Sequence, residues 1–359
     1  KGYIMKRLAR NPEKFEAIDI FTKFSRIHDF TLHSPEDTEK FISLIRESLK
    51  ASTENKTLVH GKRIEALFGH LAASLGNCKL IKSEDAGDVI YDDDDDDITQ
   101  PDYRLILKDG RHIFVEVKNC NMPNVKSPYT LKKSYVEKLE RYGELNGVPI
   151  YFAIYYRLLN IWTLLPVSSF IEQRKKYATN PIHSMAKSEM SMLGDLHIGT
   201  APPLIFELVA DKTKVATIDE SNHANFIIGD VKIYSCGREV VDQVEKNIAF
   251  YLMRFGNWDC GEPEAILDEH HCLDSVRFIF NPQSLENATE QGFDIIGHLS
   301  SMITSAFNEH TIYEQQVTAI DAKVEPDVFS VKIPEDYKGK VLPLWRFDIQ
   351  PNPEFQVDV

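Results

Sequence analysis

The 359-residue chain carries 41 Lys and Arg against 55 Asp and Glu, a formal net charge of −14, with 43% hydrophobic residues. That balance argues against broad, nonspecific affinity for a polyanion, and the apolar share supports an ample core in two domains or one enlarged one. Five scattered cysteines (Cys78, Cys120, Cys236, Cys260 and Cys272) form no CxxC pair, which argues against a disulfide framework and favours a reducing, cytoplasmic setting.

The chain opens on Lys1 with Met5 nearby, which reads as a truncated start or a remnant of another sequence; no signal peptide is evident. The first sixty residues read as helical. Ser34-Pro35-Glu36-Asp37 supplies a cap, a proline at the first helical position and acids in the first turn, leading into a helix through about Leu49. Asn55-Lys56 marks a break. A second amphipathic pattern, Ile64, Leu67, Phe68, Leu71 and Leu75, then runs to Gly76, and Cys78-Lys79-Leu80-Ile81 reads as a strand. Glu84 to Asp97 holds nine acids and no base, including six consecutive aspartates, and reads as a solvated loop. Such a run would also screen a neighbouring site from phosphate.

Pro101 to Lys118 reads as two strands joined at Lys108-Asp109-Gly110. With a three-residue loop, Leu107 faces Arg111, Leu105 faces Ile113, Tyr103 faces Val115, and Asp102 falls opposite Glu116, with Lys118 on the face of Glu116. Two carboxylates at about 4 Å repel by roughly 4 kcal/mol at an effective dielectric of about 20. A divalent cation is the natural counter-charge, and an all-oxygen site with few carboxylates suits Mg²⁺ or Mn²⁺.

Pro101-Asp102 followed by Glu116-Val117-Lys118 resembles the motif of the PD-(D/E)xK nuclease superfamily, over about residues 58–167. The resemblance implies an α/β, restriction-endonuclease-like core: a mixed central sheet flanked by helices, in the order helix, three strands, helix, two strands. It implies Asp102 and Glu116 as metal ligands, the Val117 backbone carbonyl as a third, and Lys118 as the catalytic lysine. Many members add a glutamate on the first helix, and Glu65 is the matching residue here.

Between Lys118 and Arg141 six basic residues stand against two acids, so the chain beyond the motif is locally positive despite the net charge. Asn119 to Pro128 reads as a loop and Thr130 as the cap of a helix ending at Asn146-Gly147. Lys126, Lys132, Lys133, Tyr135 and Lys138 are the candidates for nucleic-acid contact. The longest apolar run, Val148 to Ile171, is broken by Arg157, Asn160 and Pro166; it reads as two core strands, with no membrane span.

Past Phe170 the character changes. Glu172 to Tyr177 reads as a basic helical connector, PLIFELV, FIIGDVKIY and VRFIF as strands, and Glu239 to Phe255 and about Gln291 to Glu309 as amphipathic helices. Asp268-Glu269-His270-His271-Cys272 reads as a polar loop, since no second spaced cluster completes a metal site. The expected organisation is an N-terminal helical extension (1–57), the nuclease-like core (58–170) and an α+β C-terminal domain (171–359). That last part would serve regulation, target specificity, or contact with a partner protein or second copy. The expected function is a Mg²⁺-dependent phosphodiesterase cutting nucleic acid, DNA and endonuclease action being favoured, in a restriction, defence or repair setting. The alternative is a catalytically inactive scaffold or nucleic-acid-binding subunit.

Overall fold

The computed structural model describes residues 5–9, 11–92, 97–219, 221, 223–283 and 291–356, so most of the aspartate run, residues 93–96, lies outside the described residues. Three helices come first: α1 (Ala17–His28), α2 (Pro35–Glu54) and α3 (Lys56–Leu75). Ser34 starts α2 as the capping pattern predicts, its hydroxyl accepting the Asp37 amide at 3.2 Å. Asn55 closes α2 and caps α3, accepting the Leu58 amide at 3.1 Å. Gly76 ends α3 with φ 82°, a left-handed position that only glycine adopts freely. Neither α1 nor α2 buries a single residue; Phe21 and Phe24 meet Phe41 edge-on, with ring centroids 5.2 and 5.4 Å apart.

The central sheet follows: β1 (Cys78–Ser83), β2 (Tyr103–Leu107), β3 (His112–Cys120), then β4 (Tyr129–Lys132) and α4 (Lys133–Asn146) outside it, then β5 (Ile150–Tyr156) and β6 (Ile161–Pro166). Its order is β1-β2-β3-β5-β6. The first three strands are an antiparallel meander, β5 is parallel to β3 and β6 antiparallel to β5, so the fold is α/β with a mixed central sheet. Tyr103 pairs with Val115 and Leu105 with Ile113, and the Leu107 amide donates to the Arg111 carbonyl at 2.9 Å across the Lys108-Asp109-Gly110 loop. Gly110 supplies its positive φ of 93°.

Strand alternation sends Ile113, Val115 and Val117 toward Ile64, Leu67, Phe68 and Leu71 of α3. Phe114 goes the other way, with Phe152, Ile154 and Tyr156, against Val136, Leu139 and Tyr142 of α4. Glu116 and Lys118 share the Phe114 parity, so the α4 side is where the chain must place two charges in a buried strand. The α3-side cluster continues without a gap into the C-terminal helix Leu299–Thr311, through Leu299, Met302, Ile303 and Phe307.

Four elements differ from the sequence expectation. Residues 129–132 do not begin a helix capped by Thr130; they form β4, which pairs with the later strand Lys176–Thr179, and α4 starts at Lys133 without a side-chain cap. Glu172 to Tyr177 is no helix: Ile171–Gln173 (β7) and Lys176–Thr179 (β8) are a hairpin, because β8 finds its hydrogen-bond partners on β4 and β7. The expected helix at 239–255 begins at Gln243, where Asp242 caps the Val244 amide at 2.9 Å and the Glu245 amide at 3.2 Å, while Arg238–Glu239 pairs as a strand. The expected helix at 291–309 is strand Asp294–His298 followed by helix Leu299–Thr311, since residues 294–298 pair with His197–Thr200.

The C-terminal part is α+β. An antiparallel six-stranded sheet is centred on Leu204–Ala210, flanked by Ile228–Ser235 and Leu273–Pro282, and the helices Gln243–Phe255 and Leu299–Thr311 pack with it into the shared core. Asp268 accepts the amides of His270 and Cys272, each at 2.9 Å, in a turn. All five cysteines are free. Among the described residues no helix is long and apolar enough to cross a membrane.

Candidate functional site

Asp102 stands immediately before β2, after a buried Pro101, and its position is fixed from both sides. Its carbonyl accepts the Glu84 amide at 2.9 Å, and its Oδ2 accepts the Val117 amide at 2.7 Å. The hairpin register therefore brings Asp102 to the level of Glu116, and the part of Val117 it engages is the amide.

Glu116 is buried, 4% exposed, and its two oxygens are treated differently. Oε1 accepts Lys118 Nζ at 2.6 Å and the Tyr135 hydroxyl from the first turns of α4. Oε2 is buried without a hydrogen-bond partner among the described residues. Lys118 also donates to Tyr135 Oη at 3.0 Å, with its ammonium 4.8 Å from that ring's centroid. Burial acts to lower the Lys118 pKa, but the Glu116 carboxylate outweighs it and the net shift is upward, so the amine is held protonated.

On the other flank of Asp102, carboxylate oxygens of Glu65, Asp85 and Asp102 lie within 4.8 Å of one another. Glu65 is presented by α3, whose position over the sheet end is set by the Tyr103 hydroxyl donating to the Glu65 carbonyl at 2.9 Å. Asp85 follows β1 and accepts the Ser83 hydroxyl at 3.1 Å. Lys62 Nζ reaches Glu65 at 2.5 Å and Asp85 at 3.3 Å. Burial first, then Glu116 and more weakly Glu65, push the Asp102 carboxyl up to about 8, partly opposed by the Val117 amide.

The donor set fits a hard divalent cation. A buried carboxylate oxygen without a partner is a cost that a cation removes, and three further carboxylates offer oxygen only, the ligand type of Mg²⁺ and Mn²⁺. Glu65, Asp102, Glu116 and Lys118 thus come together at one end of the sheet, with Glu116 turned toward Lys118 and Tyr135 and outside the three-carboxylate group. Asp85 was missed in the sequence, hidden in an acidic stretch with no periodicity. The signal was the β1–β2 pairing: Ser83 faces Tyr103, so the next residues of that strand come beside Asp102.

Of the nucleic-acid candidates, Tyr135 lies inside this site. Lys126 is exposed on the loop after β3, and Lys132 is exposed at the end of β4. Lys133 is ion-paired with Glu172, and Lys138 with Asp97, at the edge of the acidic stretch.

No family model and no curated protein matches the chain. Among solved structures, Hjc, a Holliday junction resolvase from Archaeoglobus fulgidus, is similar over 27% of this chain and 78% of its own, at 19% identity and a TM-score of 0.21.

Proposed function

We propose that the chain is a metal-dependent nuclease of the PD-(D/E)xK type that hydrolyses phosphodiester bonds, with DNA the favoured substrate and endonucleolytic action the favoured mode. The observation that carries the reading is the convergence of Asp102, Glu116 and Lys118 on one sheet end beside an oxygen cluster from Glu65 and Asp85. In this reading Asp102 and Glu116 hold Mg²⁺ or Mn²⁺, with Glu65, Asp85 and the Val117 carbonyl as further oxygen donors. A cation bound there would supply Lewis-acid polarisation of the phosphate and a lowered pKa for the attacking water.

Lys118, kept protonated by Glu116, is suited to place positive charge on a non-bridging phosphate oxygen as negative charge develops, and not to take a proton from water. Tyr135 and Lys118 fix Glu116 through Oε1, and Oε2 is left as the oxygen that would ligate. The Asp102 carboxyl must ionise to ligate, so cation binding strengthens as pH rises toward about 8 and levels off above it.

The test is a Mn²⁺ titration of thermal stability. Binding at about a hundredfold excess over Kd adds about 2.7 kcal/mol, so the wild type should gain several degrees while Asp102→Ala and Glu116→Ala gain none. A wild type that gains nothing overturns the metal site and leaves a non-catalytic scaffold as the better reading.

A further inference from the structure

The basic stretch at 174–176 is placed by the hairpin, and not by a helix, beside the start of α4. Arg174 and Lys175 form the two-residue turn between β7 and β8, and Lys176 opens β8; all three are exposed. Lys176 stands directly opposite Lys132 on β4, also exposed, and the Lys175 carbonyl accepts the Lys133 amide at 3.1 Å. The turn is therefore bound to the first residue of α4, and two residues further along that helix Tyr135 touches Glu116 and Lys118. Two helical residues rise about 3 Å, so the turn lies on the order of 10 Å from the carboxylates, a few phosphates along one strand.

The charges here are not consumed within the protein. Lys133 is ion-paired with Glu172, but Lys132, Arg174, Lys175 and Lys176 have no carboxylate partner among the described residues. The acids that face this region from α4 are Glu137 and Glu140, which act on Tyr177 of β8, Glu137 acting also on Lys133 of α4 itself. Like charges directly opposite on paired strands are destabilising, and in a chain of net charge −14 four unpaired cations on one rim are a local exception.

We infer that the β7–β8 turn, together with Lys132, grips the phosphodiester backbone of the nucleic acid a few phosphates from the bond that is cut. The inference rests on the nuclease reading above and adds to it the contact that offsets the acidic net charge. Phosphate contacts of this kind orient a strand without reading its bases. DNA and RNA share this chemistry, and the duplexes tested separate them.

The experiment compares the wild type with Arg174→Gln/Lys175→Gln/Lys176→Gln for binding of short labelled DNA and RNA duplexes and single-stranded DNA. Ca²⁺ replaces Mg²⁺, and salt is varied from about 50 to about 200 mM. The triple variant should bind at least about tenfold more weakly, with a log–log salt slope smaller by about 2–3, on whichever nucleic acid the wild type prefers. Its Mn²⁺-induced gain in melting temperature should match the wild type. Lys176→Gln alone, which relieves the opposition to Lys132, should leave the melting temperature unchanged or higher while cutting the slope by about 1. A triple variant that keeps the wild-type affinity and slope, beside a wild type that binds and cuts, overturns the hairpin contact and leaves the nuclease reading standing. A wild type that gains stability with Mn²⁺ yet binds no nucleic acid overturns both.

Discussion

Asp102 is the residue on which the electrostatics of the site turn. Burial and then Glu116 raise its carboxyl to about 8, so in the metal-free protein it is the protonated form that folding favours. An acid whose folded pKa is raised contributes stability that is fully present below its unfolded value, near 3.8, and is lost as pH climbs through about 8. Asp102→Asn removes that dependence. In EDTA the variant should therefore gain on the wild type by roughly 3 °C or more between about pH 5 and about pH 9, read as the difference in melting temperature at each pH. A constant difference across that range would mean that Asp102 is not the strained acid of the site. Lys62 offers a second residue-scale outcome. Its ammonium bridges Glu65 and Asp85, where a cation would otherwise draw them together. Lys62→Met is expected to tighten Mn²⁺ binding by a few-fold, as like charge is removed from the cluster; weaker binding, by calorimetric titration, would make Lys62 an orienting partner of the carboxylates.

At the scale of elements, the sheet end is held by the fit of α4 against β5. Gly143 has no room for a side chain, since a Cβ there would meet the Val148 carbonyl oxygen at 2.7 Å and Ile150 at 3.1 Å. Gly143→Ala should cost about 1–3 kcal/mol in urea unfolding, in spite of alanine's better helix propensity. An unchanged or raised midpoint would show that α4 can slide. The β2–β3 hairpin was legible in the sequence because Lys108-Asp109-Gly110 and the alternation around Leu105, Ile113 and Val115 admit one register, and that register brings Asp102 to Glu116. The β4 strand and the β7–β8 hairpin were not. Each of these strands is four residues or fewer, too short for local periodicity to carry a signal, and the pairing of β4 with β8 joins residues more than forty positions apart. Asp85 escaped for a related reason: its place beside Asp102 is a property of the β1–β2 pairing, not of its neighbours in the chain.

Across the whole molecule, negative charge is ranged close to the candidate site. The acidic stretch between β1 and β2 is tied at its flanks: Asp88 pairs with Arg26 of α1 and lies 3.9 Å from Lys23, and Asp97 pairs with Lys138 of α4. Asp97 thereby occupies Lys138, one of the cations that the sequence offers for phosphate contact. Replacing residues 92–97 by a neutral linker of equal length is expected to tighten duplex binding several-fold at low salt, an advantage that shrinks as salt is raised. Unchanged or weaker binding would remove the screening role. Metal-dependent cleavage is read by incubating wild type and Lys118→Ala with supercoiled plasmid, linear duplex, single-stranded DNA and RNA, in Mg²⁺ or Mn²⁺ and in EDTA. The wild type is expected to cleave, with cleavage vanishing in EDTA and in the variant; cleavage that survives Lys118→Ala, or none on any substrate by a protein that binds no metal, would contradict a nuclease built on this site.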